Sequence, residues 1–131
     1  MIFKNKPFAR FARQQRISDL ALCEAVARAE RGLVDADLGG GVIKQRVARP
    51  GEGRSGGFRS IVLFRTDDKA FFVYGFAKSE RENIRDDELA AFRLLATELL
   101  AYTPEQLETA REAGVLIAVA CPPLAEMENL A

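Results

Sequence analysis

The sequence predicts an α+β fold in which N-terminal and C-terminal helices pack on a small antiparallel sheet. Two observations lead there. Residues 42–78 hold three runs rich in β-branched and aromatic side chains, the composition of strands. Helical periodicity flanks these runs on both sides, with apolar positions at i, i+3 and i+4. A length of 131 residues suits one compact domain, expected over residues 1–121, with 122–131 as a loose tail after Pro122-Pro123.

The elements follow in order. "MIF" opens as a short strand, and Pro7 fits the first position of a helix, where its missing N–H costs nothing. Phe8, Phe11 and Ala12 share that helix's apolar side, with Arg10 and Arg13 turned outward. Ser18 is an N-cap for a second helix with an apolar stripe of Leu20, Cys23, Val26 and Ala27, ended by Gly32. "LVDADLGGG" reads as a loop. Strands are expected at 42–48, 58–66 and 70–78, the last central in the sheet because of its aromatic density. "TDDK" is the tight turn between the last two. Both faces of these strands are largely apolar, so helices should cover one of them. Ser79 with Glu82 fits a capping box, and the next helix carries Leu89, Phe92, Leu95, Ala96 and Leu99 on one stripe. Thr103-Pro104-Glu105-Gln106 starts another helix that ends at Gly114. "VLIAVAC" fits either a last strand or a buried helical turn.

Composition narrows the chemistry. No apolar run approaches the roughly 18–20 residues that span a membrane, and "MIFKNKPFARFARQQR" lacks the apolar core of a signal peptide, so a cytoplasmic location is expected. There is no histidine, which removes histidine triads, histidine bases and histidine metal ligands. Cys23 and Cys121 form no CxxC pair and each lies in an apolar stretch; two reduced, buried thiols are expected, with a disulfide between them as the less favoured alternative. Neither a metal site nor a cofactor is expected.

The formal net charge is zero, yet it is unevenly spread. Residues 1–16 carry +5, residues 41–66 carry +5 and residues 79–131 carry −7. That asymmetry points to an anion-binding face. The densest cationic stretch is "RPGEGRSGGFR", residues 49–59, read as an oversized glycine-rich loop between two strands. If the three strands are antiparallel, Arg59, Lys78 and the loop cations Arg49 and Arg54 meet at one end of the sheet, with Lys44 and Arg46 on a shared face. Arginine forks match phosphate oxygens, and glycines let backbone N–H groups approach an anion. The loop is not a Walker A motif: it lacks the GK[ST] ending and no helix follows. A spread cationic face suits a polyphosphate strand better than a single nucleotide, and Tyr74, Phe58 and Phe76 lie near enough for base stacking if they are not core residues. RNA also carries its own nucleophile, the 2′-OH, so cations alone can promote its cleavage by positioning and charge stabilisation.

"KQRVARPGEGRSGGFRSIVLFR" and "FFVYGFAKSEREN", together with "FARFAR" and "DADLGGG", resemble the RelE/HigB superfamily of bacterial type II toxins over roughly residues 2–115. The resemblance implies a small RelE-like fold with an N-terminal strand, helices and then an antiparallel sheet. It implies a toxin that cleaves mRNA in the ribosomal A site and is silenced by a co-encoded antitoxin, expected to be a helix-turn-helix protein. By position it assigns the catalytic roles to Lys44, Arg46, Arg59 and Lys78. The loop and the strands themselves, apart from the resemblance, add Arg49, Arg54, Ser55 and Tyr74 as expected RNA contacts; Tyr74 matches no family position. The chain departs from the family pattern at Ser79, where an arginine is usual, and at Ile84-Arg85, where some members have a tyrosine. Two other readings therefore stand beside the endoribonuclease: a ParE-like gyrase poison of the same fold, and a member that acts only in complexes with antitoxin and operator DNA.

Overall fold

A computed structural model describes residues 1–49 and 53–123, without the side chains of Arg49 and residues 53–56. The described elements run β1 (Ile2–Asn5), α1 (Lys6–Gln15), α2 (Asp19–Glu30), β2 (Ala36–Gly39), β3 (Val42–Arg49), β4 (Gly53–Arg65), β5 (Lys69–Ala77), α3 (Asp86–Leu99), α4 (Pro104–Glu112) and β6 (Leu116–Ala118). The strands form one sheet in the order β2-β3-β4-β5-β1-β6. The fold is α+β, as expected, but the sheet is mixed: β1 runs parallel to β5, and all other pairs are antiparallel.

Local chemistry explains most boundaries. Asn5 caps α1 by accepting from the Phe8 N–H at 2.9 Å, and Ser18 caps α2 through the Ala21 N–H at 3.1 Å. Thr103 and Gln106 close a reciprocal capping box on α4. The capping box expected at Ser79 is absent; α3 begins at Asp86, and Glu88 reaches back to the Arg85 N–H at 2.8 Å. "VLIAVAC" resolves as a strand, because Leu116–Ala118 completes the unpaired side of β1. "LVDADLGGG" is not only a loop. Ala36–Gly39 pairs with β3 as an edge strand, and Gly39, Gly40 and Gly41 all take positive φ in the tight return.

Helices cover both sheet faces rather than one. On one face, α1 and α2 bury Phe8, Leu22 and Val26 against Ile43, Val62 and Phe72. On the other, α3 and α4 bring Ala96, Leu99 and Leu107 against Leu63, Phe71 and Val73. The double cover is why β5 alternates so poorly in polarity: Phe71 and Phe72 point to opposite cores and are both fully buried. Burying each contributes roughly 1.5–3 kcal/mol. Gln45, which alternates with Ile43 and Val47, is buried on the α2 side and fully engaged. It donates to the carbonyls of Ala25 and Leu33 and accepts from the Asp35 N–H, which fixes the connection into β2.

Two expectations are corrected here. The eleven-residue loop is largely strand: β3 continues to Arg49 and β4 starts at Gly53, with an irregularity between the pairs Val47–Phe58 and Arg49–Gly53. Gly57 sits at that irregularity because the Val47 carbonyl crosses it; a Cβ there would lie 2.0 Å from that oxygen. Gly57→Ala is expected to destabilise the fold by about 3 kcal/mol, since the obstacle is backbone and cannot rotate away. An unchanged urea midpoint for that variant would show that the approach is looser than described.

The second correction concerns the cysteines. Cys23 and Cys121 are disulfide-bonded, with Cα atoms 5.8 Å apart. Cys23 is buried in α2 as expected, but Cys121 is exposed, at the surface beyond β6. The sheet order places the segment after β6 against α2, a proximity that a sequence separation of 98 conceals. The expected tail falls mostly outside the described residues, which end at Pro123.

Candidate functional site

Strand register assembles the cations. Arg46 pairs directly with Arg59, which pairs with Phe76; one step along, Lys44 pairs with Ile61, which pairs with Tyr74. Ile61 and Phe76 belong to the α3-side core, so alternation puts Lys44, Arg46 and Arg59 on that same face. The helix itself covers only part of it. Phe92 of α3 lies 6.1 Å from Tyr74, and Ala96 and Leu100 pack near Gly41 at the far end. The Arg46–Arg59–Phe76 row therefore lies beyond the helix N-terminus. Lys78 follows Ala77, whose partner is Phe58, and is exposed at this same end.

Each cation has a different setting. The Lys44 ammonium donates to Asn83 Oδ1 at 2.8 Å. Arg46 is half-exposed; its Nε lies 3.6 Å from Asp35 Oδ1, and its backbone N–H donates to Asp35 Oδ2 at 2.6 Å. Arg59 Nη1 is buried and has no hydrogen-bond partner among the described residues. A buried donor left unpaired costs roughly 1–3 kcal/mol, so this nitrogen is set for an acceptor that the described residues do not supply. The structure thus brings Lys44, Arg46 and Arg59 together on one face and places Lys78 at its edge. The side chains of Arg49, Arg54 and Ser55 lie outside the described residues. The Tyr74 ring packs against Phe76, Phe92 and the Arg81 guanidinium, so it forms the floor of the site.

Arg81, Asn83, Glu88 and Asp35 were not singled out from the sequence. Arg81 lies 5.7 Å over the Tyr74 ring and 5.8 Å over Phe76, and donates to Tyr74 Oη at 3.1 Å. It forks onto Glu88 at 2.6 and 3.2 Å, and its Nε holds the Asn83 carbonyl at 3.0 Å. The seven-residue spacing of Arg81 and Glu88 across a helix start gives no signal by itself. The cue available was an arginine shortly after an aromatic-rich strand.

The Arg81 guanidinium, helped by the Arg85 N–H, holds the Glu88 carboxyl down to about 2 from 4.5. A depressed folded-state pKa adds stability above the unfolded value, and that stability is lost as pH falls toward the folded one. The anchoring of the 78–85 segment on the sheet is therefore expected to weaken between about pH 4.5 and pH 2. Amide exchange at Arg85–Leu89, followed across that range, checks it. Glu88→Gln should flatten the dependence, and a profile identical to the parent's would count against the ion pair.

Among the described residues, no group of His, Cys, Asp and Glu is arranged to hold a metal, and no helix is long and apolar enough to cross a membrane. A search of curated proteins returns no match. The family model for the RelE toxin of the RelE / RelB toxin-antitoxin system matches residues 1–119. With this fold, and with nearly the whole chain matched, the protein belongs to the RelE toxin family: it is the toxin of a toxin-antitoxin system, and its counterpart is an antitoxin.

Proposed function

We propose that the protein is an mRNA endoribonuclease that acts on ribosome-bound message and so inhibits translation. The observation that carries this reading is the paired Arg46–Arg59 row beside Lys44, with Arg59 Nη1 lacking an acceptor among the described residues. A phosphodiester supplies that acceptor and the counter-charge together. The 2′-OH of the substrate attacks the adjacent phosphorus and the 5′-oxygen of the next nucleotide leaves. The products are a 2′,3′-cyclic phosphate and a free 5′-hydroxyl. Arg46 and Arg59 hold the phosphate and stabilise the charge that develops on it. Lys44 and Lys78 are the groups for proton transfer to and from the two oxygens. Arg49, Arg54 and Ser55 extend the contact along the RNA backbone, with Tyr74 as the apolar floor. The antitoxin in this reading is a helix-turn-helix protein that covers the basic face.

The test is purified toxin added to ribosomes programmed with a defined message, with the 3′ ends mapped. Cuts ending in cyclic phosphate, and none on free message, are the expected result. Intact message with poisoned gyrase would replace this reading with the ParE-like one.

A further inference from the structure

The Lys44 ammonium does not stand alone on the sheet face. Its acceptor, Asn83 Oδ1, belongs to the segment between β5 and α3, which has no regular structure of its own. That segment is nevertheless pinned. Arg81 uses its Nε on the Asn83 carbonyl and both terminal nitrogens on Glu88 and Tyr74, while its plane covers two aromatic rings. Glu88 in turn is fixed at the start of α3 by the Arg85 N–H. A chain of contacts thus runs from the helix N-terminus through Glu88 and Arg81 to Asn83 and ends on Lys44.

We propose that Asn83, held by the Arg81–Glu88 clasp, is a positioning residue for the Lys44 ammonium. Arg81 is itself the wrong group to bind phosphate: Glu88 neutralises it and most of its N–H donors are engaged. Its work is to fix where the Asn83 amide stands. A free lysine side chain samples many rotamers, and fixing it costs entropy. A neutral amide oxygen restrains it without cancelling its charge, which a carboxylate would do. The segment that carries Ser79 in place of the family's arginine thereby still contributes to the site.

This inference rests on the reading of Lys44 as a reacting group, so its test has two arms. The first needs no catalysis: the order and hydrogen-exchange rate of the Lys44 ammonium, followed by NMR in 15N-lysine-labelled protein and assigned with Lys44→Arg. Asn83→Ala and Arg81→Lys are expected to raise the exchange rate several-fold and lower the order of that one ammonium. Values equal to the parent's would overturn the proposal whether or not the protein cuts RNA. The second arm is cleavage. Asn83→Ala should lower kcat about 10-fold with KM nearly unchanged, and should add nothing in a Lys44→Ala background. Additive losses in the double variant would show that Asn83 acts by another route and overturn the proposal. A parent that cuts no message would sink the nuclease reading alone, leaving the first arm to decide the tether.

Discussion

Replacing Arg59 with alanine is expected to lower cleavage of ribosome-bound message by about 10²–10³-fold, the usual loss when one charge-stabilising donor is removed from a reacting centre. The prediction is sharper than for a surface cation because stability should move the other way or not at all. Arg59 Nη1 is buried without a partner among the described residues, so the folded protein already bears its desolvation cost. Truncation relieves that cost while leaving Arg46, directly opposite, still ion-paired to Asp35. A fall in activity with a flat or raised unfolding midpoint would locate Arg59 in the chemistry. Cleavage unchanged within a few-fold would remove it from the site, and an equal collapse of activity and midpoint would make it a packing residue. Arg59→Lys should recover only part of the activity, since an ammonium keeps the charge but not the planar fork that grips two phosphate oxygens.

Arg59 also shows what the sequence revealed and what it hid. The three strands, the turn at Thr66–Asp68, the caps at Ser18 and Thr103 and the stripe of α3 were all readable, because each depends on residues within a few positions of one another. Antiparallel alternation then sufficed to put Lys44, Arg46 and Arg59 on one face. What escaped was long-range. The parallel pairing of β1 with β5 joins residues nearly seventy positions apart, and it creates the edge that β6 fills. The glycine stretch looked like a loop because glycine weakens strand propensity, whereas Gly57 is in a strand that another carbonyl crosses. Asp35 and Asn83 were invisible as partners because nothing in their own neighbourhoods distinguishes an ordinary surface side chain from one that meets Arg46 or Lys44.

Reduction of the Cys23–Cys121 disulfide is expected to cost about 4 kcal/mol of stability without altering the cationic face. The bond closes a loop of 98 residues, and restricting so long a segment of the unfolded chain is worth about that much. Its effect in the folded state is local to one side of the sheet. Cys121 follows Val119, whose N–H donates to the Ile2 carbonyl at 2.9 Å, and Ala120, whose N–H donates to Asp19 Oδ2 at 3.0 Å. Asp19 also holds Lys4 at 3.1 Å, so α2, β1 and the segment after β6 are tied together at one place. Exchange should begin at Cys121, the exposed residue of the pair. A dithiol reductant attacks there, forming a mixed disulfide with Cys121 while Cys23 leaves as a thiolate that takes up a proton; the second thiol of the reductant then closes its own disulfide and releases Cys121 as a thiolate. The measurement is a pair of denaturant curves, oxidised and reduced, with mass and free-thiol counts on both samples. Cys121→Ser should match the reduced curve under either condition. The packing around Phe8, Leu22 and Phe72 survives reduction, so the reduced protein should stay folded and keep its cleavage rate at 25 °C. Coincident curves, or two free thiols in the untreated protein, would show that the bond does not form in solution. A loss of cleavage on reduction at full foldedness would show instead that the α2 side of the sheet communicates with the cationic face, which the separation of the two cores argues against.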